Sequence, residues 1–71
     1  MAWTVGRCLL RERLKAVDMS QQELADKLEV KVQQINKYVL DKQKMSYQTA
    51  ANISFIVHCD MKDLYEWIWT E

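Results

Sequence analysis

The sequence predicts an all-α fold of five short helices, and three observations support this fold class. A single Gly and the absence of Pro among 71 residues argue against a turn-rich β fold. Leu10, Leu14 and Val17 recur at helical spacing and indicate one apolar stripe. Ser20 stands three residues before Glu23, which is the spacing of a capping box at the start of a helix.

The five helices follow one another with short connections. Ser20 caps the second helix and Ser46 caps the fourth. His58 follows the fourth helix, and we predict that it ends this helix in a left-handed conformation. The predicted helices cover Gly6 to Val17, Gln21 to Leu28, Val32 to Val39, Tyr47 to Val57 and Met61 to Ile68.

The composition argues against several classes of protein. The 71 residues suffice for one small domain, which we expect to span residues 1–71. No apolar run reaches the roughly 18 residues of a membrane span, and the start is too polar for a signal peptide. We therefore expect a cytoplasmic protein without a membrane partner. Cys8 and Cys59 are far apart and are expected to be small buried hydrophobes. Because no catalytic constellation, metal-ligand cluster or Gly-rich phosphate loop is present, we expect no enzyme activity, no metal and no cofactor.

Charge is distributed unevenly along a chain whose formal net charge is zero. Between residues 31 and 44 a single acid, Asp41, opposes the basic side chains of Lys31, Lys37, Lys42 and Lys44. Acidic residues gather towards the other end, at Asp60, Asp63, Glu66 and Glu71. The sequence therefore predicts one basic face and one acidic end, and the placement of charge matters more than its sum for a polyanionic partner.

Residues 20–39 combine two short amphipathic helices with a tight turn. The pattern extends beyond them, through Met19, Ser20, Gln21, Glu23, Leu24, Ala25, Lys27, Leu28, Val30, Ile35, Ser46, Thr49, Ala50, Ile53, Asp63, Leu64 and Tyr65. As a set, these residues resemble the helix-turn-helix domain of phage repressor, Cro and xenobiotic-response-element regulators. The resemblance implies a compact lambda-repressor-like fold, in which helix 21–28 positions the protein and helix 32–39 recognises DNA. Taken alone, each residue is better explained as a core residue of an ordinary helical bundle, and only the short turn and fixed spacing together favour the DNA-binding interpretation.

The chain departs from the pattern of this family at three positions. Glu29 stands where the turn between the two helices usually holds Gly. A left-handed non-Gly residue there costs about 1–2 kcal/mol. Asp41 stands where the family often has Gly after the recognition helix, and Asp tolerates the left-handed conformation better than most residues. Tyr47 occupies a position that is usually apolar, so we expect it in the core rather than at a DNA phosphate.

By this resemblance, the helix 32–39 enters the major groove with its first turn. The residues implied to contact bases are Lys31, Val32, Gln33, Asn36 and Lys37, and those implied to contact the DNA backbone are Gln21, Gln34, Lys42 and Lys44. Gln33 can bind adenine bidentately, Lys37 can donate to guanine, and Val32 can contact a thymine methyl group. A solvated helix face and a solvated loop are the alternative interpretation of the same residues.

One such domain contacts few base pairs, so we expect a homodimer that spans half-sites about 34 Å apart. Its apolar interface is predicted at Phe55, Trp67, Ile68 and Trp69. Alternatively, the Trp residues fold back on the first helix through Val5 and Leu9. The expected function is that of a transcriptional repressor that binds double-stranded DNA. The alternative is a protein-binding module, such as an antitoxin or an adaptor, which the zero net charge and the Trp-rich end favour.

Overall fold

The computed structural model, which describes residues 1–71, contains four α-helices and a two-stranded antiparallel sheet. The elements in chain order are β1 (Ala2–Cys8), α1 (Leu10–Ala16), α2 (Gln21–Leu28), α3 (Val32–Val39), α4 (Tyr47–Val57), a 3₁₀ turn (Met61–Leu64) and β2 (Tyr65–Thr70). The predicted all-α, five-helix fold is therefore wrong, although α2, α3 and α4 have the predicted bounds. No helix combines the length and apolar character that crossing a bilayer requires.

The first and last elements pair with each other to form the sheet. Its register joins Ala2 to Thr70, Trp3 to Trp69, Thr4 to Ile68, Val5 to Trp67 and Cys8 to Tyr65, with an irregularity between Val5 and Cys8. Gly6 lies at this irregularity, where a Cβ atom would come within 3.0 Å of the Cβ of Glu66. The β-branched and aromatic residues of both segments suit a pleated, half-exposed surface.

This pairing corrects the two outer helices of the prediction. The first helix begins at Leu10 rather than at Gly6, because residues 2–8 belong to β1 and Leu9 is the N-cap. The predicted last helix, Met61 to Ile68, is helical only through the 3₁₀ turn and continues as β2. Successive residues of a strand point to opposite faces, so Trp67 and Trp69 share one face and Ile68 points to the other. The predicted interface residues therefore do not form one helical seam.

A cluster of eleven buried residues holds the helices together, and every α-helix contributes to it. Its fully buried members are Leu10, Leu24, Ala25, Ile35, Ile53 and Leu64, and the others are Cys8, Leu14, Tyr38, Ala50 and Val57. The expectation that Tyr47 lies in the core is wrong, because this residue is 82% exposed. Ile35 of α3 is fully buried, whereas Val30 in the turn before α3 is 42% exposed.

The ends of the helices follow local signals in the sequence. The Oγ of Ser20 accepts the backbone N–H of Glu23 at 3.0 Å, and the Glu23 carboxylate accepts the N–H of Ser20 at 3.3 Å, which confirms the capping box. The Oγ of Ser46 accepts the N–H of Thr49 at 3.1 Å. His58 has a φ of 58° and ends α4 in the predicted left-handed conformation.

The sheet is attached to the loop that follows α3. Both carboxylate oxygens of Asp41 accept the backbone N–H of Cys8, at 3.0 and 3.2 Å. The hydroxyl of Tyr65 accepts the N–H of Met45 at 3.0 Å. The ammonium group of Lys44 lies 3.5 Å from the carbonyl oxygen of Gly6 and 5.0 Å from the centre of the Tyr65 ring. Burial raises the pKa of the Tyr65 hydroxyl. The hydrogen bonds of Asp41 and Met45 and the contacts of Lys44 thus hold residues 41–45 against both strands.

Candidate nucleic-acid interface

Helix α3 is amphipathic, and this property decides which of its side chains face solvent. Ile35 and Tyr38 are buried one turn apart and attach the helix to the core. The opposite side presents Gln33, Asn36 and Lys37, all of which are exposed. The helix therefore offers two amides and one ammonium group to a ligand outside the protein.

The turn before α3 sets the angle between the two helices of the motif. Glu29 adopts a left-handed conformation, with φ 58° and ψ 41°, where the family usually holds Gly. The N–H of Val30 donates to the carbonyl of Ala25 at 3.0 Å, and the N–H of Glu29 donates to Asp26 at 3.2 Å. This is the Schellman arrangement. Ala25 is fully buried, and its small side chain lets α2 and α3 approach closely.

Six of the residues predicted to contact DNA line one surface depression. They are Gln21 at the start of α2, Val32, Gln33, Asn36 and Lys37 on α3, and Lys42 in the following loop. The Nδ2 of Asn36 donates to the Oε1 of Gln21 at 3.4 Å and links the two helices across this surface. Val32 is half-buried against the core, so only part of its side chain is open to a partner.

The other three predicted residues lie outside this depression. Lys31 is the N-cap residue of α3, is exposed, and makes no side-chain capping hydrogen bond. Gln34 is half-buried, and its Nε2 donates to the Oε1 of Gln43 at 3.0 Å. Lys44 is directed towards β1 and Tyr65. The structure thus brings together the predicted residues of the exposed α3 face, Gln21 and Lys42, but not Lys31, Gln34 or Lys44.

The electrostatic character of the depression is positive, because Lys37 and Lys42 line it and no acidic residue does. Asp41 is the one acid in the segment 31–44, and its carboxylate is bound to the N–H of Cys8. The N–H of Lys42 donates to the carbonyl of Lys37 at 2.9 Å, which keeps these two lysines close in the backbone. Left-handed Asp41, with a φ of 60°, makes this second Schellman-type turn, as its position after α3 predicts.

Gln43 is a residue that the sequence analysis missed. Its amide fixes Gln34 from the loop, so it links that loop to the rear flank of α3. Nothing local in the sequence marks this pair, because nine residues separate the two amides. Elsewhere, no group of three or more His, Cys, Asp or Glu side chains is arranged to hold a metal ion.

Comparison with known proteins agrees with this geometry. A family model described as helix-turn-helix matches residues 10–54, which run from the first residue of α1 into α4. The chain belongs to the helix-turn-helix family of phage repressor and Cro type. It is 36% identical over 63 residues to the SPbeta prophage-derived uncharacterized HTH-type transcriptional regulator YopS of Bacillus subtilis (strain 168). The alignment covers 87% of this chain and 85% of that relative.

Membership of this helix-turn-helix family makes the protein a DNA-binding transcription regulator. In such regulators the second helix of the motif is the one that lies in the major groove, and here that helix is α3. Both strands lie outside the matched region, because β1 ends before residue 10 and β2 begins after residue 54. The sheet is therefore a feature of this chain beyond the helix-turn-helix unit itself.

Proposed function

We propose that this helix-turn-helix regulator represses transcription by binding a specific double-stranded DNA site with α3 in the major groove. The observation that supports this most directly is the acid-free depression, where Gln33, Asn36 and Lys37 stand beside Lys42. Gln33 would bind adenine N6 and N7, Lys37 would donate to guanine O6 and N7, and Val32 would contact a thymine methyl group. Occupation of the site would block access of RNA polymerase to it.

The residues proposed to contact the DNA backbone differ in how much each should contribute to DNA affinity. Gln21 and Lys42 border the depression, so they are the best placed to contact phosphates on either side of the groove. Lys31 is exposed next to the first turn of α3, whose N–H groups carry no side-chain cap and attract anions. Gln34 and Lys44 would first have to leave Gln43 and the carbonyl of Gly6, so their contributions would be smaller.

A selection of bound duplexes from a random pool, followed by titration of variants, tests the proposal. Gln33→Ala should cost about 1–3 kcal/mol on the selected site and relax sequence preference. Asn52→Ala, which removes an exposed amide from α4, is the matched control and should leave both unchanged. Equal affinities of the Gln33→Ala variant and the parent for selected and scrambled duplexes would show that α3 does not read the sequence.

The proposed regulator acts as a two-fold homodimer, since one α3 reads only a few base pairs. The longest dimension of the protomer is 40 Å, so a pair is large enough to span two half-sites about 34 Å apart. Trp3, Trp67 and Trp69, which share one face of the sheet, are 63%, 45% and 48% exposed. We propose that the second copy packs against the outer end of this face, at Trp3 and Trp69.

The same exposed Trp residues favour a second candidate function, a protein-binding module such as an antitoxin or an adaptor. The salt dependence of duplex binding separates the two candidates. Each phosphate contact adds about 0.9 to the slope of log affinity against log salt. A regulator should therefore show a steep slope on its selected site, and an adaptor should show no selected site at all.

A further inference from the structure

A second surface depression, which we call the lysine groove, shares no lining residue with the depression on α3. It has a volume of about 550 Å³, and its walls include Val5, Met45, Tyr47, Met61, Tyr65 and Trp67. It therefore lies between the sheet, the 3₁₀ turn and the start of α4. The side chain of Tyr47 is 82% exposed, so the fold itself leaves much of this apolar surface uncovered.

The charged residues that line the lysine groove are Lys44 and Lys62, and no acidic residue lines it. The acids nearest in sequence are directed elsewhere. Glu66 lies 3.6 Å from the guanidinium of Arg7, and Asp63 lines a different depression beside Arg13. Asp41 approaches Lys44 to 3.8 Å, but both of its oxygens accept the N–H of Cys8. The groove thus combines apolar walls with cations that its own anions do not fully neutralise.

We propose that the lysine groove binds an acidic peptide segment of a partner protein. An aromatic or aliphatic side chain of that segment would pack between Met45, Tyr65 and Trp67. Its carboxylates would pair first with exposed Lys62 and more weakly with Lys44, which keeps its contacts with Gly6 and Asp41. Apolar burial would supply affinity, while the two lysines would select acidic over basic segments. The proposal does not depend on the base contacts described above, because the α3 depression and the lysine groove share no lining residue. Lys44 is the one groove residue that also belongs to the proposed backbone contacts, where its contribution is small.

Two other occupants fit the groove less well. Small-molecule sites bury about 70–90% of their ligand, whereas Val5, Tyr47 and Trp67 leave this groove open to solvent. A second copy of the chain could offer its own acidic aromatic segment, residues 65–71, but β2 is already paired with β1. A free segment from another protein can enter without opening any sheet, as in other cases of peptide docking in a groove.

The test uses two fluorescein-labelled peptides of about twelve residues, one built from Asp-Leu-Phe-Glu units and one from Lys-Leu-Phe-Lys units. Fluorescence anisotropy with the full chain should detect binding of the acidic peptide only. Lys62→Glu should weaken this binding by about tenfold, since it reverses an exposed charge at the groove. Lys15→Glu is the matched control on α1 and should leave the affinity unchanged.

Tyr47→Ala tests the apolar wall without disturbing the core, because its side chain is largely exposed. It should weaken acidic-peptide binding by about threefold and leave the urea midpoint unchanged. Equal binding of both peptides, or an unchanged affinity of Lys62→Glu, would overturn the proposal. If free decanoate displaced the labelled peptide at a lower concentration than unlabelled acidic peptide does, the occupant would be a small amphiphile instead. A sedimentation mass altered by Lys62→Glu without peptide would identify a second copy, which would also overturn it.

Duplex binding by the same variants separates this proposal from the proposed function. Lys62→Glu should keep its selected DNA site and its preference for that site, because Lys62 does not line the α3 depression. Loss of acidic-peptide binding with DNA binding intact is the expected pattern. If no DNA site is selected by any form of the protein while the acidic peptide still binds, the proposal for the groove stands and the proposed function fails.

Discussion

Glu29 occupies a left-handed conformation that Gly adopts at lower cost. For a non-Gly residue this conformation costs about 1–2 kcal/mol, while introducing Gly costs about 0.4–1 kcal/mol through the entropy of the unfolded chain. Glu29 is exposed, and its backbone closes α2 whatever its side chain is. We therefore expect Glu29→Gly to raise the free energy of unfolding by up to about 1 kcal/mol, measured by urea denaturation.

Lys27→Gly is the control for this substitution, because it removes a side chain of similar size from an ordinary helical position of α2. It should lower the free energy of unfolding by about 1 kcal/mol. If Glu29→Gly destabilised the protein as much as Lys27→Gly, the turn would carry no strain that Gly could relieve. The preference of the family for Gly at this turn would then have a cause other than backbone strain.

Single residues also show which features of the site can be predicted from the sequence and which cannot. The capping box of Ser20 and the left-handed conformations of Asp41 and His58 were predictable, because they follow from a residue type at the end of a helix. The surroundings of Lys44 were not, since its acceptor is a carbonyl of Gly6, 38 residues away. A lysine that looks like a free phosphate ligand in the sequence is held against a strand in the structure.

At the scale of elements, the helices follow from local signals in the sequence, whereas the strands depend on residues far apart in the chain. The bounds of α2, α3 and α4 could be predicted because their signals are local, namely the apolar spacing of all three and the capping Ser residues directly before α2 and α4. The sheet could not, because Trp3 pairs with Trp69 across nearly the whole chain. Nothing between Asp63 and Trp69 breaks a helix, so this segment resembles a helix until its partner strand is known.

The attachment of β1 to the loop after α3 is open to a direct test through Cys8, which is buried next to Asp41. Asp41→Asn keeps a side chain that tolerates the left-handed conformation but replaces a charged acceptor by a neutral one. This change weakens a hydrogen bond by about 1 kcal/mol, so β1 should open about five times more often. In a Cys59→Ser background, Cys8 should then react about five times faster with a thiol reagent.

The pH dependence of that reaction follows from the thiol itself. Burial raises the pKa of Cys8, so its thiolate fraction is small below that pKa and the labelling rate should increase as the pH rises. Asp26→Asn, which neutralises a carboxylate on α2, is the control and should leave the rate unchanged. Equal rates for Asp41→Asn and its parent at every pH would show that the carboxylate does not hold β1.

At the scale of the whole molecule, a formal net charge of zero conceals a separation of charge between surfaces. Lysines line the α3 depression and the lysine groove, and neither contains an acid. Acids are instead bound by backbone or arginine groups, as Asp41 is by Cys8 and Glu66 is by Arg7. A neutral chain of this kind can bind polyanions locally while its total charge gives little non-specific attraction.

The sheet forms a third surface. Because successive residues of a strand point to opposite faces, substitutions on the two faces test the dimer proposal. Trp69 stacks edge-on against Trp3, with 5.3 Å between ring centres, whereas Ile68 points to the opposite face. The two residues are exposed to similar fractions, 48% and 49%, so Ile68→Ala is a control of similar exposure on the opposite face of the sheet. Trp69→Ala should raise the dimer dissociation constant by about tenfold or more, as loss of a central aromatic contact does, and Ile68→Ala should change it little.

Sedimentation velocity over a range of concentrations measures both constants, and urea denaturation shows whether either variant loses the sheet. Trp69→Ala also removes the contact with Trp3, worth about 0.5–1.5 kcal/mol, so a stability loss of that size is expected within each protomer. A variant that is monomeric but has the parent's helical signal would assign the defect to the interface. If Ile68→Ala dissociated the dimer and Trp69→Ala did not, the opposite face of the sheet would be the contact. The two α3 helices would then be arranged differently on DNA.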